Sequence, residues 1–188
     1  MKKIIITIVC VAVVLAGLVF FMSGRQDGLT RNFREVAFSI AGEPVRLSNG
    51  EAETQTTLGI PSKSTVRYFG NELTHDVDGD GVEDTVFLVT QETAEGNVFF
   101  LVVAALKKGD GYVGARATLL GDRIAPQTLE AGEGRVVVFN YADRAPGAPI
   151  TAMPSVGKSM WLLFDANVLE FGEVVQNFEG DGQRQLSP

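Results

Sequence analysis

Asp76, Asp78 and Asp80 alternate along the chain, and Asp84 follows four residues later, in the stretch Asp76-Val77-Asp78-Gly79-Asp80-Gly81-Val82-Glu83-Asp84. Carboxylates at that spacing suit a hard divalent cation, because calcium takes roughly six to eight oxygen ligands at about 2.3–2.6 Å. In a tight loop the side chains at positions 1, 3 and 5 converge on one point, and position 7 offers its backbone carbonyl. Those positions fall on Asp76, Asp78, Asp80 and the Val82 carbonyl. Gly81 stands at position 6, where a loop of this kind turns sharply. An EF-hand places a bidentate glutamate at position 12, but position 12 is Phe87, so the helix-flanked form is excluded. An Asp/Gly-rich turn without metal is the competing reading, since both residues are ordinary in turns. Several carboxylates held within a few ångströms repel one another unless a cation intervenes, which favours the ion. The expected affinity is modest, with Kd about 10⁻⁴–10⁻³ M, and the expected role is structural.

Other chemistry is thinly represented. The chain carries no G-x-S-x-G, no H-E-x-x-H, no phosphate-cradling glycine loop and no Cys/His pair. His75, the one histidine, directly precedes the aspartates; alone it makes no transition-metal site, and it reads as a polar turn residue. Asp122-Arg123 and Asp143-Arg144 read as ion pairs between neighbouring turns, or as the lining of a polar ligand site. Trp161 lies in an apolar run and reads as core, with a partner or glycan surface as the alternative. A hydrolase built on two convergent carboxylates, distinct from the loop, is the rival to a non-catalytic domain.

The elements that must position the loop are short. After residue 32, brief apolar segments alternate with Gly, Asp, Asn and Pro clusters, the pattern of strands and turns. Residues 35–40 and 44–47 flank Ala41-Gly42-Glu43 as a first hairpin. Residues 85–90 and 98–106 flank a turn at 92–97, and the second of these segments is apolar on both faces, as a central strand requires. Residues 112–120 then return antiparallel. Hairpins are also expected about Gly132-Glu133-Gly134 and about Asp165-Ala166-Asn167. Pro146, Pro149 and Pro154 make 145–154 a loop. The expected fold is all-β, a mostly antiparallel sandwich or twisted roll, preceded by one N-terminal transmembrane helix.

That helix is expected at residues 4–22, a run of 19 residues with no charge and Thr7 as its one polar member. As a helix it spans roughly 28 Å, close to the hydrocarbon thickness of a bilayer. A cleavable signal peptide would have a shorter apolar region and an A-x-A exit, which Phe20-Phe21-Met22-Ser23-Gly24 lacks. Cys10, the single cysteine, comes too early in the run to be a lipidation site. Lys2 and Lys3 before the helix are balanced by Arg25, Arg31 and Arg34 after it, so charge alone does not orient it. Long C-terminal domains translocate largely regardless of charge, which favours residues 1–3 in the cytoplasm. The expected organisation continues with a linker at 23–32, an extracytoplasmic domain at 33–175 and a flexible tail at 176–188.

The 188 residues carry a net charge of −7, and −9 without Lys2 and Lys3. An acidic domain without a basic cluster is a poor partner for nucleic acid. The part beyond the helix has no cysteine and forms no disulfide, which suits a bacterial envelope better than a small secreted animal domain.

The aspartate loop, running straight into the strand-like Thr85-Val86-Phe87-Leu88-Val89, resembles the calcium loop of FG-GAP repeats. The resemblance covers about ten residues and implies calcium ligation by Asp76, Asp78, Asp80, Val82 and Asp84. A propeller needs several copies and the chain has one, so the resemblance extends to the loop and not to the fold. More widely, Tyr68-Phe69-Gly70-Asn71-Glu72, the loop, Leu120-Gly121-Asp122-Arg123 and Asn140-Tyr141-Ala142-Asp143-Arg144 follow one another as in uncharacterised bacterial envelope proteins and lipoproteins with one D-x-D-x-D-G loop. That resemblance implies location and a β fold but no activity. The expected function is a calcium-stabilised, non-catalytic binding or scaffolding domain with a protein or glycan partner. The alternatives are an envelope hydrolase and an accessory subunit of a membrane complex.

Overall fold

The computed structural model describes residues 29–175. They form twelve strands and one short 3-10 turn, Phe33–Glu35. The strands are β1 (Ala37–Ile40), β2 (Glu43–Arg46), β3 (Glu51–Thr57), β4 (Ile60–His75), β5 (Asp84–Thr93), β6 (Val98–Lys108), β7 (Gly111–Gly114), β8 (Thr118–Asp122), β9 (Ala125–Ala131), β10 (Val136–Asp143), β11 (Val156–Asp165) and β12 (Glu170–Glu173). The chain is therefore all-β and mostly antiparallel over these residues. No described helix is long and apolar enough to cross a membrane, and the apolar run at 4–22 lies outside the described residues.

The larger sheet runs in the order β3-β4-β5-β6-β7, with β8 also pairing with β6. The second sheet is β12-β11-β10-β9, and β1 and β2 form a separate hairpin. Burial sorts residues by the two-residue period of a strand. Val86, Leu88, Val102 and Ala104 enter one core cluster with Val137, Phe139, Leu162 and Phe164 of the second sheet. Phe87, Val89, Leu101, Val103 and Ala105 enter another with Phe38, Ile40 and Val45 of the β1–β2 hairpin. β5 and β6 are thus covered on both faces, which explains why residues 98–106 are apolar throughout. Each fully buried Val, Leu or Phe side chain there contributes about 1.5–3 kcal/mol of transfer free energy.

Three details differ from the expected strands. Residues 112–120 do not return as one strand but as β7 and β8, interrupted at Ala115–Ala117. At the break the chain serves the other layers: Arg116 N–H donates to the Leu169 carbonyl (2.7 Å) and Ala117 N–H to the Ser39 carbonyl (2.8 Å). Second, the hairpin β3–β4 is not anticipated from the sequence. β3 reads Glu-Ala-Glu-Thr-Gln-Thr-Thr, a half-exposed edge strand with little apolar contrast, and its signals are the tight turns at Asn49-Gly50 and Leu58-Gly59 that bracket it. A bulge between Thr54 and Thr56 is fixed by buried neutral groups, with Gln91 Nε2 donating to the Thr56 carbonyl and to Ser64 Oγ, both at 2.9 Å. Third, Thr30, within the expected linker, is tied to Tyr112 by its N–H and carbonyl.

A second tie holds the segment before β1. The Arg34 guanidinium lies over the rings of Phe33 and Tyr68 and pairs with Glu72, which also accepts the Tyr68 hydroxyl. Burial first, and then the bond to Glu72, push Tyr68 up to about 12, while the Tyr68 hydroxyl and Arg34 hold Glu72 below its ordinary value. Because Glu72 is more acidic folded than unfolded, its contribution is present above the unfolded value and is lost as pH falls through the folded one. The melting temperature of the full chain should therefore drop more steeply between about pH 6 and about pH 3 than that of Glu72→Gln, measured side by side. Packing makes a sharper demand at Gly114, where an added Cβ would meet the Ala37 carbonyl oxygen at 2.2 Å. Gly114→Ala should cost about 2 kcal/mol or more in denaturant unfolding by forcing β7 away from β1.

Candidate metal centre

The aspartate loop closes the β4–β5 hairpin. His75, the last residue of β4, pairs with Asp84, the first of β5, so residues 76–83 form the connection. Local side chain to backbone bonds shape it, as aspartates do in turns. Asp76 accepts the Gly79 N–H at Oδ1 (2.7 Å) and the Gly81 N–H at Oδ2 (2.9 Å). Asp78 Oδ1 accepts from Asp80 N–H (3.1 Å), and Asp80 Oδ1 from Val82 N–H (2.9 Å). Gly79 and Gly81 have φ of 81° and 84°, in the left-handed region that a side chain disfavours. Val77, with no exposed surface, pins the loop into the core between the sheets.

Asp84 anchors the other end. Its residue is 0% exposed; Oδ2 accepts the Val77 N–H (3.2 Å) and Oδ1 the Lys107 N–H (2.8 Å). The carboxylate therefore ties the start of the loop to the end of β6. Burial pushes Asp84 above its ordinary value and the charge of Asp78 adds to that, while backbone donors, Lys107 and Val77 foremost, act against it. Asp76, Asp78 and Asp84 each bring a carboxylate oxygen within 4.8 Å of the others.

Asp80 is not in that group. Its Oδ2 and Asp78 Oδ2 receive the Lys108 ammonium, at 2.5 and 2.7 Å. Lys108 first, then the Val82 N–H, hold Asp80 below its ordinary value, and the two carboxylates raise Lys108 in return. The Val82 side chain is exposed. His75 is half-buried, and among the described residues its Nε2 is enclosed without a hydrogen-bond partner.

Two neighbours of the loop escape the sequence reading. Lys108 lies 30 residues from Asp78 and Arg135 lies 57. Arg135 donates from Nη1 to the Asp78 carbonyl (3.2 Å) and lays its stem along Gly79, where a Cβ would meet Cδ at 3.0 Å. The one available signal was the position of each beside a glycine turn that ends a strand, Lys107-Lys108-Gly109 and Gly132-Glu133-Gly134.

The remaining candidates lie elsewhere. Arg123 pairs with Asp122 in its own turn, and Arg144 donates to the carbonyls of Arg123 (2.7 Å) and Asp122 (3.0 Å), so the two turns are stapled together. Asp143 is held by Lys158 (2.7 Å). Trp161 is half-buried opposite Val138, between the inward Met160 and Leu162. A groove of about 300 Å³ is lined by Glu53 and Glu92, but each is matched by a cation, Lys63 (3.2 Å) and Arg67 (2.7 Å).

Asp84→Ala leaves the N–H groups of Val77 and Lys107 without their acceptor. In chelator, so that no ion contributes, the variant should unfold about 2–4 kcal/mol more easily than the parent in urea, because each stranded buried donor costs about 1–3 kcal/mol.

Comparison of the chain with protein-family models, with curated proteins and with solved structures finds no match.

Proposed function

We propose that the chain is a membrane-anchored bacterial envelope protein whose β domain stands outside the cytoplasm, is stabilised by a calcium ion, and serves as a non-catalytic binding or scaffolding module for a protein or glycan. The observation that carries the ion is the meeting of Asp76, Asp78 and Asp84 oxygens within 4.8 Å. Two oxygens on opposite sides of an ion, each at about 2.4 Å, are about 4.8 Å apart. The three donors are hard carboxylate oxygens with no sulfur or imidazole among them, a set that suits calcium better than a transition metal. The Val82 carbonyl and Asp80 complete the set in this reading. The ion would join the loop, the start of β5 and, through Asp84, the end of β6. The anchor rests on the uncharged residues 4–22, and the outer placement on the length of chain that follows them.

The non-catalytic reading is supported by the groove at Glu53 and Glu92, where each acid is already engaged by a cation, Lys63 or Arg67.

Calcium at about 1 mM, acting on a site with Kd about 10⁻⁴ M, adds about 1.4 kcal/mol to folding. For a domain of this size that raises Tm by about 3–6 °C. The full chain in detergent should show this rise over a chelator control, and Asp76→Ala and Asp78→Ala should each cancel it. Superimposable melting curves for the parent chain with calcium and with chelator would exclude the ion. Placement is tested by adding protease to cells stripped of any outer membrane and wall: digestion of the C-terminal portion is expected, and protection that lasts until the cytoplasmic membrane is broken assigns it to the cytoplasm.

A further inference from the structure

The outer face of the second sheet sets an aromatic side chain beside a row of hydrogen-bonding groups. Successive side chains of a strand turn to opposite faces. Met160, Leu162 and Phe164 pack into the core, so Ser159, Trp161 and Leu163 turn outward from β11. On β10 the inward set is Val137, Phe139 and Tyr141, and the register places Val136 beside Leu163, Val138 beside Trp161 and Asn140 beside Ser159. Leu163 is exposed, and Trp161 is half-buried between it and the polar row.

That row is one chain of hydrogen bonds across three strands. Ser159 Oγ donates to Asn140 Oδ1 (2.6 Å), Asn140 Nδ2 to Thr128 Oγ1 (2.9 Å), and Thr128 Oγ1 to Glu130 Oε1 (2.6 Å). The chain fixes the direction of the Asn140 amide and leaves it one N–H and one lone pair to offer a ligand. Ser159 Oγ keeps its lone pairs as acceptors. Trp161 and Ser159 are two residues apart on one strand, about 7 Å. Bonding capacity is thus held in place beside an indole, and little ordering remains to be done on binding.

Charge narrows the occupant. Glu130, beside Val138 at the β9 edge, is the one charged side chain among these residues, and none of them is a cation that could meet a phosphate, sulfate or carboxylate. Nucleic acid, anionic lipid and acidic polymers are therefore poor partners for the face. A protein partner would seek an apolar centre ringed by polar groups, whereas here the polar row runs directly beside the indole. A sugar ring has the matching alternation: an apolar C–H face that stacks on an aromatic ring, and hydroxyls at its rim that give and take hydrogen bonds.

We infer that this face binds an uncharged polysaccharide, with a sugar ring stacked on Trp161 and its hydroxyls bonded to Asn140 and Ser159. The inference rests on the binding-module reading above and adds to it the ligand class and the surface.

The test is native electrophoresis of the full chain, in a detergent without a sugar head group, through gels cast with β-glucan, galactomannan or glycogen, and with alginate as an acidic polymer. At least one neutral polymer should retard the parent and shift the emission of its one tryptophan, while alginate should do neither. Trp161→Ala should abolish the retardation, and Trp161→Phe, which keeps an aromatic face, should retain part of it. Asn140→Ala should weaken binding about two- to tenfold, the loss expected from one or two hydrogen bonds. Melting curves establish that each variant is folded. Retardation unchanged in Trp161→Ala and Asn140→Ala would overturn the inference and leave a glycan-binding module that uses another face. Shortening of the polymer would overturn it together with the non-catalytic reading. Retardation by alginate alone, or by no polymer, would overturn it and leave the binding module without this ligand class. A crosslink in cells from benzoylphenylalanine in place of Leu163 to a protein or to a second copy would give the face to that partner and overturn it as well.

Discussion

A carboxylate with no exposed surface is tolerable only where its oxygens are met by donors, and Asp84 meets that condition with two backbone N–H groups from segments far apart in sequence. Val77 and Lys107 are drawn to one side chain, which fixes the loop entrance against the end of the central strand. The neighbouring charges follow from this. Asp78 is brought beside a carboxylate that cannot escape to water, and Lys108, carried by the same strand end, answers it. The geometry of the loop is thus a consequence of one buried acid at the first position of β5.

The middle layer sets the other limits. β5 and β6 lie between the second sheet and the β1–β2 hairpin, so a change at either face is felt by a core cluster. At Ala115–Ala117 both outer layers bond the same short break in the edge, which locks the two clusters to each other. The loop sits where these layers meet, since Val77 belongs to one cluster and Arg135 reaches it from the second sheet.

Much of this was legible in the chain. The apolar run Val98 to Leu106 announces burial on both faces, and the turns at Ala41-Gly42-Glu43, Gly132-Glu133-Gly134 and Asp165-Ala166-Asn167 mark the β1–β2, β9–β10 and β11–β12 hairpins, because burial and turn chemistry act on neighbouring residues. β3 was hidden for the converse reason: its threonines and glutamates lie half-exposed at an edge, and hydroxyl networks leave no apolar stripe. The aspartates were visible as a group, but their sorting was not. That Asp84 faces inward, that Asp80 turns to Lys108, and that Arg135 braces Gly79 all depend on strands assembling from 30 and 57 residues away.

The strand order has a kinetic corollary. In the larger sheet β3 to β7 lie side by side in chain order, and so do β9 to β12 in the second, with β8 separated from its partner β6 by β7 alone. Each strand can therefore zip onto a neighbour already made, closing short loops one after another, and the entropy of joining distant ends is largely avoided. A chain threaded out from its N-terminus would never hold more than a hairpin's length of unpaired strand waiting for a partner.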